Sequence, residues 1–308
     1  MATRMNRTIG MVLMGSLLLG GLVSLVKVMS FSPAIASTIA PQPPSIAPKS
    51  RRVAQTMTVS PKLINANTRF GFKLFSAVAK QDAGKNIFIS PSSVAIALAM
   101  AYNGANGETQ QAMARAMALQ GMSLQELNQA NASLKTMLAP DPDVQLAIAN
   151  SLWMRQGIAF KPEFLQRNRQ FYQAKVSELD FGNPRSVATI NTWVSQNTRG
   201  KIDSIIDRID PNDVMFLINA IYFKGNWSRK FEPQDTTLQP FRLLNNQSKK
   251  HPMMAQSGEY RYYETSQFQA IRLPYGTKQR VSFYVFLPQS SSSLAEVGNV
   301  INLLFCPK

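Results

Sequence analysis

Residues 214–227 read VMFLINAIYFKGNW, and this stretch decides the fold of the protein. Nine of its first ten residues are apolar, and many of them are β-branched or aromatic, which predicts a strand buried on both faces. Asn219 stands in the middle of the run. Burying its amide costs about 1–3 kcal/mol unless its donors and acceptor find partners. The fold therefore has to supply hydrogen bonds to Asn219.

The elements around this strand divide into early helices and late strands. Helical spacing of apolar residues predicts six helices, beginning near residues 61, 91, 107, 123, 161 and 186, with Ser90, Ser123 and Ser186 as N-caps. Asn86–Ile89 is predicted to be a short strand or an extended lead-in. Further strands are predicted at VQLAIANSLWMR, KVSELDF, FRLLNN, EYRYYET, QAIRLPY and VSFYVFLP. This order indicates an α+β domain with at least one large sheet.

The N-terminus has the pattern of a targeting segment. Arg4 and Arg7 precede a mostly apolar stretch from residue 9 to 26, and Ala34-Ile35-Ala36 follows as a small-x-small cleavage site. We predict that residues 1–36 are a signal peptide and that the protein is exported, to the periplasm or the extracellular space. The alternative is an uncleaved anchor, for which eighteen residues spanning about 27 Å are marginal.

Residues 37–60 are predicted to be a Pro-rich, basic linker without periodic structure. The formal net charge is +16, but ten of the 33 Lys and Arg residues precede Asp82, the first acidic residue. The remainder carries 23 basic against 17 acidic residues. We therefore expect no nucleic-acid partner, because such a domain concentrates positive charge on a folded face. At most, the linker makes weak contact with an anionic membrane or wall polymer.

The reactive residues are too few for an enzyme. The chain has one histidine, His251, and one cysteine, Cys306, so it has no internal disulfide and depends on packing. No G-x-S-x-G, H-E-x-x-H, C-x-x-C or Walker motif occurs. His251 reads as a strand-entry residue before Pro252. We expect no catalytic residue, no cofactor and no metal site.

Five segments in one order resemble a known family. They are NIFISPSSVAIALAMAYNGANGETQQAM (86–113), INTWVSQNTRGKI (190–202), LINAIYFKGNW (217–227), HPMMAQSGEYRYYE (251–264) and AIRLPYGTKQRVSFYVFLP (270–288). Their order and spacing resemble those of the serpins, over about residues 61–297. Each segment alone is a weak signal, whereas five collinear segments are a strong one.

This resemblance implies a serpin fold and inhibition of serine proteases. In that family a protease cleaves an exposed reactive loop, which then inserts as a new strand into the large central sheet. The sheet opens at a polar cluster called the shutter, to which Ser90, Ser93 and Asn219 correspond, together with a histidine from the fifth strand. Trp227 corresponds to the tryptophan of the breach, the top of the sheet, where insertion begins.

The resemblance stops before the family pattern is complete. Only twenty residues follow Pro288, and from about Gly298 they resemble no serpin segment, so residues 298–308 are interpreted as an aberrant tail. A frameshift, an early stop or an incomplete gene model would each produce it. Neither the shutter histidine nor a reactive-site bond is recognised. We therefore expect Asn219 to face water or an unmet hydrogen bond, and its strand to have an unpaired, aggregation-prone edge.

Without a reactive loop, the chain is expected to trap no protease. Two alternatives to an inhibitor are a non-inhibitory serpin-like protein that captures an extended peptide at the sheet edge, and the truncated product of a pseudogene.

Overall fold

A computed structural model describes residues 9–14, 22–25, 59–82, 84–138, 142–210, 212–243, 247–293 and 296–298. Most of the predicted signal peptide and linker lies outside the described residues. So does the predicted tail after Gly298, including Cys306. The predictions made for those segments therefore stay predictions.

The six predicted helices are all present. They are α1 (Pro61–Gln81), α2 (Pro91–Tyr102), α3 (Gly107–Ala116), α4 (Leu124–Met137), α5 (Pro162–Tyr172) and α6 (Arg185–Asn197). α4 begins with the predicted capping box, in which Glu126 N donates to Ser123 Oγ (3.1 Å) and Ser123 N donates to Glu126 Oε2 (2.7 Å). No helix in the described part of the chain is long and apolar enough to cross a membrane.

The predicted cap of α6 was wrong. Pro184 occupies the N-cap position, and Ser186 is the second residue of the helix. The Ser186 hydroxyl donates instead to the carbonyl of Asp180 (2.7 Å), across the turn that precedes the helix. Ser186 thus ties the turn before the helix to its first residues without capping it, because Pro184, whose backbone is already helical, occupies the N-cap position.

The strands form three sheets. The ten strands among the described residues are β1 (Ile9–Met14), β2 (Leu22–Leu25), β3 (Val144–Arg155), β4 (Lys175–Leu179), β5 (Met215–Gly225), β6 (Thr237–Arg242), β7 (Ser248–Gly258), β8 (Arg261–Glu264), β9 (Phe268–Tyr275) and β10 (Val281–Pro288). The central sheet has the order β2-β5-β3-β4, and the two others have the orders β1-β7-β6 and β10-β9-β8. Asn86–Ile89 is extended but pairs as no strand.

The sequence quoted first forms β5, which is buried on both faces as predicted. On one face, Leu217 joins a core cluster that includes α1, α2, α4 and α5. On the other face, Phe216 and Ile218 pack against Ile190 and Val194 of α6. The central sheet is therefore enclosed between two layers, and any polar side chain in β5 must find its partner inside the protein.

The sequence predicts an unpaired outer edge for β5, but this edge is partly paired. Backbone residues Leu22–Leu25 of β2 run antiparallel along Ala220–Phe223. Along its other edge, β5 pairs with β3 from Met215 to Gly225. The expectation overlooked β2 because this segment lies inside the predicted signal peptide, almost two hundred residues away in the chain.

Candidate functional site

α2 places two serines beneath the central sheet. Ser90 is its N-cap, with the Ser93 backbone N–H donating to the Ser90 hydroxyl (3.3 Å), and Pro91 follows at the first helical position. Ser93 therefore lies on the first turn, and it is fully buried against the sheet. The sequence predicted this cap, and with it the position of both serines.

Asn219 finds a partner on each side of its amide. The Ser93 hydroxyl donates to Asn219 Oδ1, and Asn219 Nδ2 donates to Asn150 Oδ1 (2.7 Å). Asn219 is completely buried and lies directly opposite Asn150 in the pairing of β5 with β3. The expectation that Asn219 would face water or an unmet hydrogen bond was therefore wrong. Its donor and acceptor are satisfied by α2 and β3, without any histidine.

The hydrogen bonds continue from Asn150 into the helix layer. Asn150 Nδ2 donates to the carbonyl of Tyr172 at the end of α5 (2.8 Å), and the Tyr172 hydroxyl donates to Asn128 Oδ1 of α4 (2.8 Å). Asn128 Nδ2 donates in turn to Asn103 Oδ1 (2.8 Å). Burial raises the pKa of Tyr172 well above its usual range, so its hydroxyl stays a donor. Buried polar groups thus link the sheet to α2, α4 and α5.

Asn150 and Tyr172 belong to this cluster but were not among the predicted site residues. For Asn150 a signal existed: it interrupts the apolar strand VQLAIANSLWMR in the same way that Asn219 interrupts VMFLINAIYF. A buried amide in one strand requires a partner, and a second buried amide is the simplest one. We call Ser90, Ser93, Asn150 and Asn219 the polar centre of the sheet.

Trp227 lies apart from the polar centre, two residues beyond the end of β5. It forms an isolated bridge with Tyr275 of β9, and the two rings stack with centroids 4.4 Å apart. Phe231 and Phe283 meet the indole edge to face. Burial raises the pKa of Tyr275 to about 12. This aromatic group joins the end of the central sheet, which we call its upper end, to the β10-β9-β8 sheet.

His251 lies in β7, opposite Gln239 of β6, in a different sheet from Asn219. Its Nε2 atom is buried without a hydrogen-bond partner among the described residues. Across all the residues that the structure describes, no group of three His, Cys, Asp or Glu residues is placed to hold a metal ion.

Comparisons with known proteins agree on one family. The sequence model of the serpins (serine protease inhibitors) matches residues 65–304. A serpin-like protein of Thermococcus kodakarensis is 34% identical over 242 residues, which are 77% of this chain and 56% of the relative. The leukocyte elastase inhibitor of Bos taurus is 36% identical over 234 residues, covering 74% of this chain and 61% of the inhibitor.

Solved structures show the same fold. The thermophilic serpin tengpin in its native state matches with a TM-score of 0.73 and 30% identity, over 82% of this chain and 64% of tengpin. Tengpin in its latent state matches with a TM-score of 0.72 and 31% identity, over 79% and 65% of the two chains. The chain thus spans about three fifths of the length of these relatives. The match over residues 65–304 and the shared fold together show that the chain belongs to the serpin family.

Proposed function

We propose that the serpin domain of this protein serves the inhibition of a serine protease, through a central sheet that accepts an inserted strand. The arrangement of the polar centre supports this proposal most directly. A single buried amide, Asn219, is bonded both to the neighbouring strand and to the helix layer beneath it. Movement of the sheet over α2 must exchange one of these bonds.

The two bonds of Asn219 have different roles in such a movement. The bond to Asn150 lies within the sheet and holds β5 to β3. The bond from Ser93 joins β5 to α2, across the layer boundary. We propose that β3 and β5 move together and that the Ser93–Asn219 bond is the one that yields. Ser90 orients the first turn of α2 and so fixes where Ser93 lies. Trp227 marks the end at which insertion begins.

A polypeptide of residues 1–308 alone is proposed to form no covalent complex with a protease. Covalent trapping requires both a sheet that accepts a strand and a reactive loop that supplies it. The family resemblance identifies the sheet but identifies no reactive loop within these residues. The activity of the domain would then depend on a loop supplied by further sequence.

The test is to mix the 308-residue protein with trypsin-like, chymotrypsin-like and subtilisin-like proteases and to look for SDS-stable complexes. The bovine leukocyte elastase inhibitor with elastase serves as the positive control. We expect a complex only in the control. A band at the summed mass of this protein and a protease would overturn the proposed inactivity and support inhibition directly.

A second candidate function is the capture of an extended peptide at the edge of β5. It is favoured by β2, because an extended segment already lies along Ala220–Phe223. In the protein that begins at Ser37, which lacks β2, this function predicts cooperative unfolding and saturable binding of a labelled peptide with the sequence of residues 19–28. A scrambled peptide of the same composition is the control. Equal binding of both peptides, or a non-cooperative melt, would contradict it.

We also propose that the protein is exported and that its basic linker makes weak contact with anionic surfaces. Arg4, Arg7 and the apolar run after them support export. The cationic residues of the linker, Lys49, Arg51 and Arg52, support the contact. Fractionation of cells that express the full chain, followed by mass spectrometry of its N-terminus, tests both export and cleavage near Ala36. Retention of the intact leader in the cytosolic fraction would contradict export.

A further inference from the structure

A small polar pocket lies beside Trp227 at the upper end of the central sheet. Its volume is about 240 Å³, and three arginines line it: Arg229, Arg261 and Arg272. They come from the segment after β5, from β8 and from β9. Glu259, which is exposed, also lines the pocket. Three guanidinium groups against one carboxylate leave the walls with an excess of positive charge, which favours an anionic ligand.

The three arginines differ in how they are held. Arg272 is fixed, because its Nε donates to Ser282 Oγ (2.8 Å) and its Nη2 donates to the carbonyl of Gln279 (3.1 Å). Arg261 pairs with Arg272 through the backbone of β8 and β9, but the side chains of Arg229 and Arg261 make no hydrogen bond or ion pair within the described ranges. One oriented guanidinium and two unengaged ones suit an oxyanion, which accepts several charge-assisted hydrogen bonds at once.

Arg229 occupies a space that only glycine leaves free. A Cβ atom built on Gly258 would lie 1.9 Å from Arg229 Nη1 and 3.0 Å from its Cζ. The guanidinium therefore rests directly on the backbone of β7. A side chain at residue 258 would force the end of the Arg229 side chain to shift, so the position of the guanidinium depends on the residue type at position 258.

Two residues that line the same pocket each have a buried oxygen atom without a hydrogen-bond partner in the described part of the chain. These atoms are the Tyr260 hydroxyl and Gln256 Oε1. Burial raises the pKa of Tyr260, with Arg229 opposing the effect, so the hydroxyl remains protonated and can donate. Gln256 Oε1 is an acceptor and needs a donor. A ligand that accepts from the Tyr260 hydroxyl and donates to Gln256 Oε1 would satisfy both atoms, and an oxyanion that retains an O–H group is one such ligand.

We propose that this pocket binds a small oxyanion that carries an O–H group, with inorganic phosphate as the ligand of best fit. Phosphate at neutral pH retains at least one O–H, which can donate to Gln256 Oε1, while its other oxygens accept from Arg229, Arg261, Arg272 and Tyr260. Sulfate has the same shape but no O–H. The proposal is independent of protease inhibition, because every residue it uses is present in this chain.

The test is titration of the full 308-residue protein with sodium phosphate, followed by calorimetry and by tryptophan fluorescence. We expect saturable binding of phosphate, a change in the emission of Trp227, and at least several-fold weaker binding of sulfate at equal ionic strength. Citrate, which combines carboxylates with a hydroxyl, distinguishes a hydroxy-acid ligand from phosphate. Tighter binding of citrate than of phosphate would overturn the choice of phosphate.

Variants locate the site. Arg229→Gln and Arg261→Gln should each weaken phosphate binding by roughly tenfold or more, since each removes charge-assisted hydrogen bonds. Gly258→Ala should weaken it similarly by displacing Arg229, with every charge retained. Trp227→Phe should bind phosphate in the calorimeter but lose the fluorescence change.

The matched control is Arg208→Gln, which removes the same charge from an exposed position outside the pocket. Its phosphate affinity should equal that of the unmodified protein. Equal weakening by Arg208→Gln and Arg229→Gln would show a nonspecific charge effect and would overturn the site. Absence of saturable binding to the unmodified protein at millimolar phosphate would overturn it as well.

Discussion

β5 connects two polar groups that differ in how well their hydrogen bonds are satisfied. In the polar centre, the side chain of Asn219 is bonded to Ser93 and Asn150 and is fully buried. At the upper end, the pocket beside Trp227 contains arginines without partners in the described chain and two buried oxygens without hydrogen bonds. Both groups are polar, yet only in the first does Asn219 have its hydrogen bonds satisfied within the described part of the protein.

The two groups differ in function: the first stabilises the fold through internal hydrogen bonds, and the second has groups free to bind a ligand. A buried polar group with all its partners stabilises one arrangement of the fold, and removal of one partner leaves the others desolvated and unpaired. A polar group without partners costs stability unless something else supplies the missing bonds. The polar centre should therefore respond strongly to mutation, whereas the upper pocket should respond chiefly to ligand.

The largest effect is expected for Asn219→Ala. This change leaves the Ser93 hydroxyl and Asn150 Oδ1 without their partner in the core, which should lower the free energy of unfolding by about 2–4 kcal/mol. Denaturant unfolding measures the loss. Asn65→Ala, at an exposed position of α1, is the control and should change little. A loss below about 0.5 kcal/mol for Asn219→Ala would contradict the claim that the polar centre stabilises the fold.

A smaller effect is expected for Tyr172→Phe. The change removes only the hydroxyl that donates to Asn128 Oδ1 (2.8 Å) and accepts from Asn131 Nδ2 (3.4 Å), so the expected loss is about 1–2 kcal/mol. Tyr102→Phe is the matched control: Tyr102 is also buried, but its hydroxyl bonds to no described residue. Equal losses for the two variants would show that ring packing, and not the hydrogen bonds, is what matters at Tyr172.

Asp143 lies near the upper end of the sheet, but its carboxylate accepts two hydrogen bonds. It therefore tests whether hydrogen-bond partners, and not location in the fold, decide how much a polar group contributes to stability. The backbone N–H of Thr277 (3.0 Å) and then the Thr277 hydroxyl (2.9 Å) hold the pKa of Asp143 below its ordinary value. A lowered pKa in the folded state contributes stability above the unfolded pKa of about 4 and loses it as the pH falls further.

The measurement is the melting temperature of the unmodified protein and of Asp143→Asn from pH 6 to pH 3. The unmodified protein should lose more stability than the variant below about pH 4. The exposed Asp203→Asn should follow the unmodified protein. Parallel curves for all three proteins would show that the ionisation of Asp143 is not linked to folding.

The smallest effect is expected for Arg229→Gln in the absence of added anion. Because Arg229 has no partner among the described residues, its loss should change the free energy of unfolding by less than about 0.5 kcal/mol. Denaturant unfolding in phosphate-free buffer measures this, and the same experiment in phosphate should reveal a difference that buffer alone does not. A large loss without phosphate would show that Arg229 already has a structural role.

Local sequence rules predicted most of the fold. Ser90-Pro91 predicted the start of α2, and the capping box predicted the start of α4. The apolar run around Asn219 predicted a strand buried on both faces. These signals suffice because caps and periodicity act over a few residues. Ser186 was misplaced because serine and proline both mark a helix start and the sequence alone did not say which would occupy the cap. The family resemblance added a large central sheet, but the strand orders were not predicted, since strand pairing joins distant segments.

The candidate site was predicted only in part, for the same reason. Ser90, Ser93 and Asn219 were recognised, but the partner of Asn219 was sought in a strand beyond the outer edge of β5. Besides Ser93, the partner of Asn219 is Asn150, which lies 69 positions away in the chain, on the neighbouring strand β3. The upper pocket gave no local signal at all, because Arg229, Arg261 and Arg272 meet only through the folding of β7, β8 and β9.

The pairing of Asn150 with Asn219 also has a consequence for how the sheet assembles. The two amides face each other only when β3 and β5 align as they do here. If β5 slipped by two residues, its apolar pattern would be preserved, yet Asn219 would face Ile148 or Leu152 and the hydrogen bond between the two amides would be lost. Apolar strands alone tolerate such misalignment. The Asn150–Asn219 pair therefore selects the correct register of β5 against β3 from alternatives that bury apolar side chains equally well.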